Sequence, residues 1–343
     1  PPKDYECCDK LPDDFTQALH QALVKITDYQ ARQPQETLPE LQAFYFDALH
    51  FHNLLGLLGP HSFIDLTNPP TNSQGQRLLR LRNVIPAPHL KERIAACHSL
   101  TLFSATLTPP RLHQQLLGLP ENMQWLDVPS PFSAQQLAVH VVDSISTRYE
   151  HRESSLAPMA DLMAAQYRQR PGNYLAFFSS HDYLQRTLAT LRQRHPDIPL
   201  REQSRSMNEE ARTAFLQGFG EDTEGIAFAV LGGAFGEGID LPGKRLIGAF
   251  VATLGLPQLN AMNEKIRDCL EQHFQAGYDY TYLYPGLQKV VQAAGRVIRS
   301  TEDEGVVYLI DDRFNQSRIR ALLPSWWQPQ RYIPSATSSP STF

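Results

Sequence analysis

From about residue 136 to the end of the ordered pattern, short apolar runs alternate with longer amphipathic ones. Leu137–Val142, Tyr174–Phe178, Ile198–Leu200, Ile226–Leu231, Arg245–Val251 and Val306–Ile310 read as strands. Between them, Leu156–Arg170, His181–His195, Asn208–Phe219 and a stretch from about Gln258 to Phe274 read as helices. Tyr174-Leu175-Ala176-Phe177-Phe178 is apolar throughout, as expected of a strand buried on both faces. Strands joined by helices of this length pair in parallel, because the crossover returns each strand in the same direction. The fold expected is therefore α/β, a parallel sheet with helices on both faces.

The chain before this alternation has a different texture. Phe15, Leu19, Leu23 and Ile26 form one helical stripe and Leu41, Phe44, Ala48 and Leu55 another, with Pro34 and Pro39 breaking between them. Phe63–Leu66 and Leu78–Val84 read as short strands separated by the turn-rich Asn68-Pro69-Pro70-Thr71-Asn72-Ser73. Lys91–Cys97 reads as a helix leading into an apolar strand, Leu100-Thr101-Leu102-Phe103, which ends at Ser104-Ala105-Thr106-Leu107. The prolines at 109–110 and in Pro129-Ser130-Pro131-Phe132 place a boundary or hinge between 108 and 135. The Ser/Thr/Pro-rich residues 334–343 read as a disordered tail.

Net charge is −5 over 343 residues, so any nucleic-acid contact must come from a local groove and not from a global basic footprint. The four cysteines, two of them adjacent at Cys7 and Cys8, have neither zinc-ligand nor disulfide-framework spacing, and His20, His50, His52 and His61 lack a repeated ligand spacing. No metal site is expected, and a reduced, cytoplasmic protein is. No run approaches membrane-spanning length. The chain opens at Pro1-Pro2-Lys3 without a methionine and is read as a fragment.

Chemistry concentrates in three places. In Gln292-Ala293-Ala294-Gly295-Arg296-Val297-Ile298-Arg299, a helix would put Gln292, Arg296 and Arg299 at i, i+4 and i+7 on one polar face. A rigid arginine pair suits charge developing on a transferring phosphoryl group, because each guanidinium fork meets phosphate oxygens bidentately. The loop Gly232-Gly233-Ala234-Phe235-Gly236-Glu237-Gly238-Ile239-Asp240-Leu241-Pro242-Gly243 follows a strand, and its glycines let backbone N–H groups approach phosphates. Asp240 is placed to accept from a ribose hydroxyl and Glu237 to orient a polar neighbour. Gly238, Gly243 and Lys244 mimic a phosphate loop, but Arg245 stands where Ser or Thr would hold Mg²⁺ and a strand follows where a helix should start. Ser104 and Thr106, and Ser179 and Ser180, are small polar residues at strand ends, where ligands of open parallel sheets gather.

Taken in order, Ser104-Ala105-Thr106, Phe177-Phe178-Ser179-Ser180, Glu237-Gly238-Ile239-Asp240 and Gln292–Arg299 resemble the rear half of superfamily 2 helicases of the DinG/XPD family. Asp311-Asp312-Arg313 resembles that family's Asp-x-Arg ending, Ser130-Pro131-Phe132 its linker between motors, and the likeness spans about residues 75–325. The resemblance implies two RecA-like motors that clamp ATP and Mg²⁺ and walk 5′ to 3′ along single-stranded DNA. It makes Arg296 and Arg299 the arginine fingers with Gln292 beside them. Gly236, Glu237, Gly238 and Asp240 would face nucleotide and DNA, Ser104 and Thr106 would couple nucleotide state to the cleft, and Ser179 and Ser180 would touch the DNA backbone. Neither Gly-x-x-x-x-Gly-Lys-Ser/Thr nor Asp-Glu-Ala-His occurs in the sequence, so the nucleotide site is expected to be completed by an upstream motor. An iron–sulfur cluster, which the family carries upstream, is not expected in this segment.

The domains expected are an arch-like helical region over 1–60, the last strands of a first motor over 61–108, a second RecA-like motor over 109–333 and the tail. The partners expected are single-stranded DNA and the missing N-terminal motor, with no membrane, in a monomeric protein of the bacterial cytoplasm associated with the nucleoid. The competing reading is a nucleic-acid-binding regulatory module of helicase fold without ATPase activity. A nucleotide-sugar or dinucleotide enzyme fits less well, since the loop lacks Gly-x-Gly-x-x-Gly.

Overall fold

The computed structural model describes residues 5–33, 38–67, 77–233, 235 and 240–333. In chain order the elements are β1 (Tyr5–Cys8), α1 (Asp13–Arg32), α2 (Pro39–Leu55), β2 (Ser62–Thr67), β3 (Leu78–Asn83), α3 (Ala87–Ala96) and α4 (Pro110–Leu117). There follow β4 (Leu137–Val142), α5 (Arg152–Gln169), β5 (Asn173–Phe178), α6 (His181–Arg194), β6 (Leu200–Glu202), α7 (Glu209–Gln217) and β7 (Gly225–Val230). The last are β8 (Gly248–Ala252), α8 (Ala261–Phe274), α9 (Tyr284–Ala294), β9 (Gly305–Ile310), α10 (Ser317–Arg320) and β10 (Gln330–Arg331).

These make two compact units, the first holding residues up to 103 with 110–124 and 258–281, the second holding 104–109, 125–257 and the chain from 282 on. The two units interleave along the chain and do not meet at one boundary. α4 and α8 group with the first unit, whereas Ser104–Pro109 groups with the second.

In the first unit β1, β2 and β3 form an antiparallel sheet. Asp65 on β2 is fully buried and pairs with Arg82, with Arg80 at 3.7 Å, so this buried charge is matched from the neighbouring strand. α1 and α2 arise where the two apolar stripes lie, and Pro39 occupies the first helical turn, where its missing N–H costs nothing. Leu100–Phe103 is not a strand, contrary to the sequence expectation, and Phe103 is 90% exposed. A strand exists only through its neighbour's hydrogen bonds, and among the described residues no strand pairs with this stretch.

The second unit is a seven-stranded sheet of order β10-β4-β9-β8-β5-β7-β6, parallel throughout. The side chains of β5 divide between its two faces. Leu175 and Phe177 pack in a core with Phe215 of α7 and Val290, Ala293 and Ala294 of α9. Tyr174, Ala176 and Phe178 pack in the other core with Met159 and Met163 of α5 and Leu184 and Leu188 of α6. Two-sided burial is thus the physical basis of the unbroken apolar run in β5.

One close approach fixes how α9 lies on the sheet. A Cβ built on Gly255, at φ +71, would stand 2.5 Å from Gly286 O, and one on Gly286 would stand 2.8 Å from Leu254 O. The loop after β8 and the first turn of α9 therefore touch backbone to backbone. Gly255→Ala combines left-handed strain with this collision, so it is expected to lower stability by about 1–3 kcal/mol, measurable by denaturant unfolding.

Candidate functional site

A parallel sheet gathers the carboxyl ends of its strands along one edge. At the end of β5, Ser180 caps α6, its Oγ accepting from the Tyr183 N–H at 3.3 Å. Ser179 Oγ accepts from Arg152 Nη2 at 2.9 Å, and the Arg152 guanidinium lies 5.0 Å from the Tyr183 ring centroid and 5.4 Å from that of Tyr149. The segment after β4 is laid across the end of β9. Thr147 donates to Asp311 from its N–H at 3.0 Å and from its hydroxyl, and Arg148 Nη2 donates to Asp312 at 3.2 Å.

Asp311 is fully buried and also accepts from Arg313 through its N–H at 3.0 Å, Nε at 2.6 Å and Nη2 at 3.0 Å. Burial alone would raise its pKa, but the Arg313 guanidinium and the Thr147 hydroxyl outweigh burial and hold the carboxyl below its usual value. The Asp-Asp-Arg ending noticed in the sequence is therefore a clamp, which seats the segment carrying Arg148, Tyr149 and Arg152.

A second cluster lies at the opposite, amino-terminal edge, just before β8 and β9. α9 ends at Ala294 with Gly295 as its cap, so Gln292, Arg296 and Arg299 do not share one helical face as the spacing predicted. The last turn tightens, with Arg296 N–H bonded to Ala293 O at 3.4 Å and Val297 N–H to Ala294 O at 3.1 Å. Glycine weakens the helix at this point, and Val297 and Ile298 are drawn into the core at 2% and 3% exposure. Arg296 is buried at 6% exposure, contrary to the expectation of two projecting arginines, while Gln292 and Arg299 are exposed.

Arg299 Nε stands 3.5 Å from Asp240 Oδ1. Its backbone is held by Asp303, which accepts from the N–H of Arg299 at 2.7 Å and of Ser300 at 2.8 Å, and from Ser300 Oγ at 2.9 Å. Burial opposes ionisation of Asp303, but these hydrogen bonds prevail and lower its pKa. Gln136 Nε2 donates to Ser300 O at 3.3 Å and to Asp303 O at 3.1 Å, tying the turn to the start of β4. Asp303 and Gln136 escaped the sequence reading. The Ser300-x-x-Asp303 spacing of a turn cap was the available signal for the first, and no local signal marks the second.

The glycine-rich stretch follows the carboxyl end of β7 and precedes the amino end of β8 in the chain. Phe235 anchors it, fully buried with its ring centroid 4.4 Å from that of Phe215, and Leu241 anchors it again at 2% exposure. Gly236, Glu237 and Gly238 lie outside the described residues, whereas Asp240 meets Arg299 as stated. Gly243–Arg245 make a single 3₁₀ turn before β8, not the start of a long helix. Thr106 donates from its N–H to Ser104 Oγ at 3.2 Å, and its carbonyl accepts from Gln288 Nε2 at 3.1 Å. Gln288 was missed, although it sits one turn before Gln292 on α9. Among the described residues no group of three or more His, Cys, Asp or Glu converges on a metal position, and no helix is long and apolar enough to cross a membrane.

The helicase C-terminal domain family matches residues 163–330, and two solved structures described as "XPD_APO" and "XPD_Helicase" superpose with TM-scores of 0.61 and 0.57. The matched residues, just under half of the chain, carry the sequence of a helicase C-terminal domain. The superpositions each cover 97% of the chain and 66% and 58% of those structures, at 19% and 18% identity, and they establish this domain's fold. Among curated relatives, "ATP-dependent DNA helicase chl-1" of Caenorhabditis elegans is 25% identical over 264 residues, covering 70% of the chain and 31% of the relative. "Regulator of telomere elongation helicase 1" of Bos taurus is 28% identical (67% and 21% covered), and "ATP-dependent DNA helicase XPD" of Sulfolobus acidocaldarius is 22% identical (63% and 39%). The chain thus spans between about a fifth and two fifths of the length of these helicases.

Proposed function

We propose that this chain is the C-terminal portion of an ATP-dependent helicase that couples ATP hydrolysis to 5′ to 3′ movement on single-stranded DNA. One observation carries the reading: β7, which pairs with the strand whose end bears Ser179 and Ser180, is followed by the buried Phe235 and then by Asp240, which pairs with Arg299 at the opposite edge. A device that converts nucleotide state into strand movement needs a mechanical link of this kind between a phosphate-sensing group and a backbone-gripping one.

In this reading the carboxyl edge meets DNA phosphates through Ser179, Ser180 and Arg152, and the amino edge offers Arg299 to a nucleotide whose other half is held by an upstream motor. Arg299 is the projecting finger, with Gln292 exposed on the helix before it. Arg296, being buried, supports the turn that presents Arg299. Mg²⁺ accompanies the nucleotide and neutralises phosphate charge when bound, and we assign its ligands to the upstream motor. Ser104 and Thr106, tied to α9 through Gln288, couple the start of the second unit to the same helix.

The test uses this chain and the full-length protein side by side. The chain alone is expected to bind single-stranded DNA weakly, with affinity falling as salt rises, and to hydrolyse no ATP above background. The full-length protein is expected to unwind duplexes with a 5′ single-stranded tail and not those with a 3′ tail. Robust DNA-stimulated hydrolysis by the chain alone, or unwinding from the 3′ tail, would overturn the proposal. DNA binding without ATP turnover in either protein would favour the regulatory-module reading.

A further inference from the structure

The segment between β4 and α5 places an aromatic ring where a folded domain has little use for one. Tyr149 is 86% exposed and sits in a short 3₁₀ turn, Tyr149–His151, that leads directly into α5. The Arg152 guanidinium is held between this ring and that of Tyr183, 5.4 Å and 5.0 Å from their centroids. Its Nη2 donates to Ser179, yet its Nε is buried with no hydrogen-bond partner, an expensive state for a charged donor unless another group completes the site. Of the nearby carboxylates, Glu153 pairs with Arg186, and Asp182 lies 4.0 Å from the same guanidinium.

We propose that Tyr149 is a stacking platform for one base of a single-stranded nucleic acid, with Arg152 and Ser179 meeting the adjoining phosphate. The inference rests on the nucleic-acid reading above and adds to it a base-contacting residue outside the motifs. The geometry supplies both parts of such a site. A guanidinium backing one side of the ring orients it at little entropic cost, since a tyrosine has two rotatable side-chain bonds. The ring's exposure leaves a π-surface for a base, and stacking of this kind tolerates any base because every base has a π-face. The clamp of Thr147 and Arg148 on Asp311 and Asp312 fixes the segment, so the platform is positioned before the strand arrives.

The experiment measures binding of a fluorescein-labelled oligo-dT and of an abasic strand of equal length, over a salt series, to the wild-type chain and three variants. Tyr149→Ala is expected to weaken oligo-dT binding by about tenfold and to leave abasic binding and the salt slope unchanged, because it removes stacking and no charge. Tyr149→Trp is expected to bind as well as wild type. Arg152→Gln should weaken both strands and reduce the salt slope by about one phosphate. Since Tyr149 is exposed, the alanine variant should melt like wild type, which separates loss of binding from loss of fold. Oligo-dT binding by Tyr149→Ala within about twofold of wild type, or equal loss on the abasic strand, overturns the platform while leaving the helicase reading in place. Failure of the wild-type chain to bind either strand overturns both.

Discussion

Arg299→Ala in the full-length protein is expected to cut ATP turnover at least tenfold, and by as much as about 10³–10⁵ if Arg299 acts as a full arginine finger. Nucleotide binding should be largely kept, because a finger acts on charge that grows in the transition state and its loss falls on kcat. Arg299→Lys should not rescue, since a point charge cannot reproduce the bidentate fork. The folded state should be little affected, as the side chain is exposed and its ion pair with Asp240 joins a carboxylate 79% exposed. Arg296→Ala is expected to behave differently. Arg296 is buried at 6% exposure, so its truncation opens packed structure and should lower the melting temperature as well as turnover. Near-normal turnover by Arg299→Ala would remove the finger assignment, and a purified ATPase assay with a melting curve for each variant decides it.

The largest effect on stability is expected at Asp311. Asp311→Ala would remove the fully buried carboxylate that accepts from the Thr147 hydroxyl and N–H and from the Arg313 guanidinium, and breaking a buried pair in this way costs about 3–5 kcal/mol. Denaturant unfolding would read the loss directly, and single-stranded DNA binding should fall too, because the clamp seats the Tyr149–Arg152 segment. The same group sets an acid limit. Its carboxyl is held below the ordinary value, so its stabilising contribution is complete above the unfolded aspartate pKa of about 3.9 and is lost as pH falls through the lower folded one. Asp303, also lowered, adds to this loss in the same direction. The wild type should therefore lose stability steeply below about pH 4, and Asp311→Asn should flatten that dependence. Unchanged acid sensitivity in Asp311→Asn would remove the clamp from the account.

Much of the second unit was legible because its strands carry their own signal. Tyr174–Phe178 and Val306–Ile310 are apolar at every position, and a strand that must be buried on both faces can be read without knowing its neighbours. Leu100–Phe103 carries the same signal and forms no strand, because an apolar run says what a segment needs and not whether a partner strand is present. The arginine helix failed for a related reason. Periodicity placed Arg296 and Arg299 with Gln292, but Gly295 and the pull of Val297 and Ile298 into the core ended the helix first. Local spacing measures a helix that continues, and tertiary burial decided that this one does not.

The sequence alone determined the parallel α/β alternation and the two-sided burial of its central strands, and it marked polar residues as candidates for chemistry, because each depends on side chains close in the chain. Only the tertiary structure decided which of those residues meet. Asp311 reaches Thr147 across 164 positions, Gln136 reaches Asp303 across 167, and Gln288 reaches Thr106 across 182. Contacts at such separations depend on how the sheet orders its strands, β4 beside β9 and β9 beside β8, and strand order leaves no local pattern to read. Tyr149 shows the same division: its sequence neighbours are unremarkable, and its environment exists only once Arg152 and Tyr183 are folded together.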